Sequence, residues 1–279
     1  MPTNLRRTAF AALAVAPLTL VGACGSNDSS TTATDSTSSV SGLKPGAAVS
    51  VDDAHSLLAS ATGDLTSMKF SADVSLGSAA TMHMEGVEQV KPSVAAQVSA
   101  TVSGQQMDLR MIGTSMYMQL PPAAAAQLPG GKKWMSMDFA EIGQLTGMDT
   151  SGLSDTLQNP AGSLDKYAKY VTGGTYVGPA TVDGVDTKQY DFTLDVKGAM
   201  SAMMPSGLPS TGVTVPDSMK ESIWIDGDHR PVQMKMEMGK LGTTTMHMSD
   251  FGTKVDVTAP PKAETVDMAT LMKSAGKAS

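Results

Sequence analysis

Thioethers and a single thiol are the side chains that this sequence sets at a spacing suggestive of chemistry. Met82-His83-Met84 and Met246-His247-Met248 form two Met-His-Met triplets. A thioether is a soft donor that suits Cu(I), so one reading of the triplets is a Cu(I)-binding protein. Strand geometry weakens that reading. Successive side chains on a strand point to opposite faces, so both methionines of a triplet share one face and the histidine takes the other. One triplet then needs a bulge to close a three-ligand site, and His83 and His247 read as solvent-facing polar residues. Asp226-Gly227-Asp228-His229 gathers carboxylates and an imidazole, but its place between Trp224-Ile225 and Val232 makes it a solvated hairpin turn. Gly-x-Ser-x-Gly, His-Glu-x-x-His, Gly-x-Gly-x-x-Gly and Walker patterns are all absent from the sequence. The expectation is no enzyme, no catalytic residue, no metal site and no cofactor.

The thiol is Cys24, the one cysteine among 279 residues. Before it stand two bases, Arg6 and Arg7, an apolar stretch from Ala9 to Val21, and the small residues Gly22 and Ala23. About 13 apolar residues are too few to span a bilayer, which fits a removable export signal over residues 1–23. Leu20-Val21-Gly22-Ala23-Cys24 resembles the bacterial lipobox, in which the signal is cut just before a cysteine whose thiol has been acylated. Arg6-Arg7-Thr8-Ala9-Phe10 also resembles a twin-arginine signal, so Sec and Tat export both stay open. Loss of Arg6 and Arg7 from the 20 bases leaves 18 against 27 acids, a formal charge of -9. Anionic headgroups would repel such a chain, so attachment to the extracytoplasmic face of the cell membrane would rest on the acyl chains of Cys24. Residues 24–47 read as a tether, since Gly25 to Gly46 holds 7 Ser and 4 Thr and cannot bury a core. Its mean reach is about 25 Å.

Residues 48–279 read as one domain. A chain that is 41% apolar and 17% charged can bury a core of this size, and a net charge of -7 argues against nucleic acid as a partner. Ser50 and Asp53 make a capping pair, and Ala54, Leu57, Leu58, Ala61, Leu65 and Met68 follow at helical spacing. From Lys69 the period becomes two: Phe70, Ala72, Val74 and Leu76 alternate with polar residues, and so do Val94, Ala96, Val98, Ala100 and Val102. Further strands are expected over residues 81–90, 107–111, 115–120, 133–138, 175–182, 186–196, 222–226, 231–239, 243–249 and 254–258. Asp183-Gly184 is a two-residue hairpin signal. A helix is expected after Asn159-Pro160, with Leu164, Tyr167, Ala168 and Val171 on one face, another over 197–204, and a C-terminal one through Met268, Leu271, Met272 and Ala275. Residues 205–216 read as a loop. The class is α+β, a curved antiparallel sheet of about 11–12 strands wrapped over a few helices.

The sequence holds 22 methionines against 12 aromatics, and the positions of the methionines carry the functional reading. Met82, Met84, Met107, Met111, Met116, Met118, Met135, Met137, Met234, Met236, Met238, Met246 and Met248 fall at period-two positions of expected strands. Methionine adapts to irregular apolar shapes and specifies a tight core poorly. Together with Val98, these residues would line a face suited to acyl chains. The same residues would equally fill a closed core, as in a purely structural or partner-docking envelope domain. A lysine at Met236 would put an ammonium on that face and is expected to cost several kcal/mol unless it snorkels out.

The lipobox, the Ser/Thr tether, the leading helix, Val182-Asp183-Gly184-Val185, Ile223-Trp224-Ile225-Asp226 and Phe251-Gly252-Thr253-Lys254-Val255 together resemble the actinobacterial LppX/LprG-type lipoproteins over about residues 48–267. That family shares the half-barrel of the lipoprotein carrier LolA. The resemblance implies an 11-stranded half-barrel with helices closing its mouth and a hydrophobic cavity. It further implies that the protein carries acylated lipids or lipoglycans within the cell envelope, loaded from or passed to an envelope transporter or acceptor protein. It supplies no catalytic residues.

Overall fold

Residues 40, 42–76, 80–102, 104–126, 128–139, 141, 169–203 and 216–271 are described in the computed structural model. Cys24, most of the tether, the 160–168 helix, most of the 205–216 loop and the end of the C-terminal helix lie outside them.

Ser50 opens helix α1 (Val51–Gly63) as its N-cap: its Oγ accepts from Asp53 N at 3.1 Å and donates to Asp53 Oδ2 at 2.7 Å. The buried stripe is Ala54, Leu57, Leu58, Ala61 and Thr62. The helix stops at Gly63, short of the expected Met68. Met68 belongs to strand β2 (Ser67–Leu76), because the apolar residues from there onward repeat every two rather than every three or four.

Ten more strands follow the predicted alternation. They are β3 (Ala80–Gln89), β4 (Ala95–Val102), β5 (Gln105–Ile112), β6 (Ser115–Gln119), β7 (Trp134–Asp138), β8 (Val171–Val182), β9 (Val185–Asp195), β10 (Ser218–Asp226), β11 (Pro231–Glu237) and β12 (Thr243–Ser249). Two edge pieces complete the set, β1 (Ala48–Val49) and β13 (Thr265–Asp267), with short helices α2 (Pro122–Ala125) and α3 (Val196–Met203). Val171, expected on a helix face, instead opens β8. The two-residue turn between β8 and β9 has Asp183 at φ 50° and Gly184 at φ 82°, the left-handed pair such hairpins require.

The sheet is one curved, unclosed layer of 13 strands in the order β1-β8-β9-β10-β11-β12-β2-β3-β4-β5-β6-β7-β13. Two antiparallel meanders, β2 to β7 and β8 to β12, are welded where β12 pairs β2 from Thr243↔Ser75 to Ser249↔Lys69. β1 caps one edge through Ala48↔Thr175, and β13 runs parallel to β7 at the other.

The strand expected over 254–258 is not in the sheet. Both sides of β2 are already taken, by β12 and β3, so this segment finds no free edge beside it. It leaves through Gly252 N to Ser67 O (2.8 Å), is held by Arg110 Nη1 to Thr258 O (2.8 Å) and Lys132 Nζ to Ala263 O (2.6 Å), and joins the sheet only as β13.

α1 packs against the face bearing Met68, Phe70, Tyr190, Phe192, Leu194, Ile223, Met234 and Met248, which with its own buried stripe form the main core. One glycine on that face is a steric necessity. A Cβ at Gly86 would lie 2.3 Å from the Gln97 carbonyl oxygen of β4. Gly86→Ala is therefore expected to cost about 2–3 kcal/mol in urea unfolding. Gly227→Ala, whose Cβ meets nothing within 4 Å, should stay within about 0.5 kcal/mol and serves as the control.

Candidate functional site

Cross-strand partners share a face, so the register assigns every methionine of the strands. One row runs Ile223, Met234, Met246, Ala72, Met84, Ala100, Met107 across β10, β11, β12, β2, β3, β4 and β5. A second runs Phe70, Gly86, Val98, Leu109, Met118, Met135. A third runs Met68, Glu88, Ala96, Met111, Met116, Met137. Met82 and Met236 lie in the row on the other side of the first, joined through Thr244 and Val74, and Met248 pairs with Phe70. All of these stand on the face that carries α1. Met238 does not: it follows the end of β11 and leads into the 3-10 turn Gly239–Leu241.

Burial divides this face. Met84, Met111, Met234 and Met248 are closed into core clusters at 4–7% exposure. Met82, Met107, Met116, Met118, Met135, Met137, Met236 and Met246 are only half-buried, as is Val98. Under α1 the face is a packed core. On β5 to β7, apart from the buried Met111, it is a field of half-covered methionines around Leu109.

Two carboxylates share the same face, and sequence reasoning missed both. Glu221 is 1% exposed and pairs across strands with Phe192 and Met236. Glu88 is 2% exposed, and its Oε1 has no hydrogen-bond partner among the described residues. Burial pushes its carboxyl up from 4.5 to about 8. The signal was available, since Glu88 has the same parity along its strand as Met82 and Met84.

The opposite face is polar. His83 Nδ1 lies 2.8 Å from Asp73 Oδ1, and His247 Nδ1 lies 2.9 Å from Asp183 Oδ2. Both triplet histidines are thus turned away from their methionines and held by aspartates. Among the described residues no group of three or more His, Cys, Asp or Glu is placed to hold a metal. Asp226, in the turn expected to be solvated, is itself buried. It accepts from Asp228 N (3.0 Å) and Arg230 N (2.8 Å) and pairs with the Arg230 guanidinium at 2.8 Å. A cleft of about 1240 Å3 opens on this face, walled by Lys69, Asp73, Gln97 and His247 on one side and the β8–β9 hairpin tip at Asp183 on the other. Its cations are already paired, Lys69 with Asp250 at 2.6 Å and Arg230 with Asp226. A smaller hollow of about 380 Å3 at the strand ends reaches Met82 and Val74. No described helix is long and apolar enough to cross a membrane.

No protein-family model matches this chain. A curated Streptomyces griseus relative, described as an uncharacterized 31.2 kDa protein in the rplA-rplJ intergenic region, is 26% identical over 243 residues, 77% of this chain and 78% of its own length. Among solved structures, the chain is similar to LprF from Mycobacterium bovis at 16% identity, over 75% of this chain and 97% of that one, with a TM-score of 0.48. It is also similar to the lipoprotein LppX of Mycobacterium tuberculosis at 17% identity, over 70% of this chain and 91% of that one, with a TM-score of 0.47.

Proposed function

We propose that this chain is a non-enzymatic lipoprotein, anchored to the extracytoplasmic face of the cell membrane through acylated Cys24, that binds acylated lipids or lipoglycans on its methionine face and carries them within the envelope. The observation that carries the reading is the half-buried methionine field of β5 to β7, continuous in register with the closed core under α1. Flexible thioethers can follow a deformable chain, and each Å2 of apolar surface removed from water contributes about 25 cal/mol. The lipobox and the tether supply a reason for such a face to sit beside a bilayer: Val40 and Leu43 at the end of the expected tether already pack on the core, and the leash ahead of them, with a reach of about 20 Å, lets the domain touch lipids of the outer leaflet and withdraw. Lipid would be handed on to an envelope transporter or acceptor protein.

Native mass spectrometry and solvent extraction of the chain purified from an actinobacterial host test this directly. The expected result is a mass excess matching an extractable acylated lipid. A ligand-free mass under conditions that preserve apolar complexes would overturn the reading.

A further inference from the structure

We infer that Glu88 is the polar anchor of the lipid site, a hydrogen-bonding contact for an uncharged ester or hydroxyl of a lipid whose acyl chain lies along Ala96, Met111, Met116 and Met137. The inference rests on the lipid-binding reading above and narrows its ligand class.

Glu88 stands at a seam. On one side, across β2, is Met68, part of the core under α1; on the other, across β4, is Ala96, which clusters with Met111. Beyond Ala96 the row is apolar to β7. From Ala96 to Met137 it crosses three strand spacings, roughly 14 Å, a length suited to an extended acyl chain. Phe139 packs on Ala96 and Met111 and is the group such a chain would replace. A carboxyl at the closed end of an apolar track, 2% exposed and with Oε1 unpartnered among the described residues, is a standing cost to the fold. A ligand group that bonds to it would offset that cost.

The chemistry selects an uncharged group. Burial keeps the carboxyl protonated at neutral pH, so it offers one O–H donor and an acceptor oxygen. The O–H can donate to an ester carbonyl, and Oε1 can accept from a hydroxyl. No cation stands in its row to receive a phosphate or a free carboxylate, so an ionic headgroup would stay outside this position.

The test uses the full chain and two probes of equal chain length, monopalmitoylglycerol and hexadecane, each displacing the fluorescent dye N-phenyl-1-naphthylamine. The wild type should prefer monopalmitoylglycerol roughly tenfold. Glu88→Met should bring the two within about twofold without weakening hexadecane, while Glu88→Gln, which keeps a donor and an acceptor, should retain most of the preference. A Glu88→Met chain that keeps the full preference overturns the anchor and leaves lipid binding standing. So does a wild type that binds both probes equally, a result that needs no variant to fold. A wild type that binds neither probe and carries no extractable lipid overturns both readings.

Discussion

Raising the pH from about 5 to about 8.5 should cost this protein several kcal/mol of unfolding free energy, and Glu88→Gln should abolish most of that loss. In the folded chain the buried Glu88 carboxyl holds its proton up to about pH 8, whereas the unfolded side chain releases it near 4.5. Between those values the folded state binds one more proton than the unfolded state. Stability therefore falls with rising pH, by roughly 1.4 kcal/mol per pH unit. The contribution is fully present below about pH 4.5 and is lost as pH rises through about 8. The carboxamide cannot ionise, so the variant should match the wild type near pH 5 and exceed it near pH 8.5. Urea unfolding followed by circular dichroism at three pH values reads this out. Parallel profiles for the two proteins would show that the folded state ionises Glu88 at an ordinary pH.

Met234→Lys and Met236→Lys should part company, although they sit two residues apart on one face. Met234 is 4% exposed between Ile223 and Met246, with no carboxylate among its cross-strand partners. An ammonium there is buried and uncompensated, at a cost of about 3–5 kcal/mol. Met236 is half-buried and directly opposite Glu221. A lysine at this site has a carboxyl about 5 Å away and room to extend its head outward, so its cost should stay below about 1.5 kcal/mol. Of the two outcomes that alternation alone allowed at Met236, a costly buried ammonium or one that snorkels out, the half-burial and the pairing favour the second. Urea midpoints of the two variants decide the matter, and equal losses would mean that Glu221 does not reach position 236.

Local patterns were legible because local geometry enforces them. Ser50 and Asp53 cap α1 as their spacing implies, since the capping bond spans three residues and needs nothing from the rest of the chain. Asp183-Gly184 turns the β8–β9 hairpin for the same reason. The alternation in β2, β3 and β4 placed Met82, Met84 and Val98 on one side, because a pleated backbone allows no other arrangement. The misassignments are those in which a residue fitted two periods or in which partners were distant. Met68 extends a helical stripe and also begins a strand. Residues 254–258 alternate like a strand but have no edge to join. Met238 keeps the parity of Met234 and Met236 but lies beyond the last ladder pair.

By itself, then, the sequence determined most of the strands, α1, their apolar sides and the Asp183-Gly184 turn. These follow from backbone period, capping and a contiguous motif, all of which act over a few residues. Only the tertiary structure decided that β12 pairs β2, joining positions such as Met246 and Ala72 far apart in the chain. The same long-range pairing set which methionines are sealed under α1 and which remain half-covered on β5 to β7. It also enclosed Glu88 among apolar neighbours. Burial depends on what packs against a side chain from elsewhere in the fold, and a residue's neighbours in sequence do not carry that information.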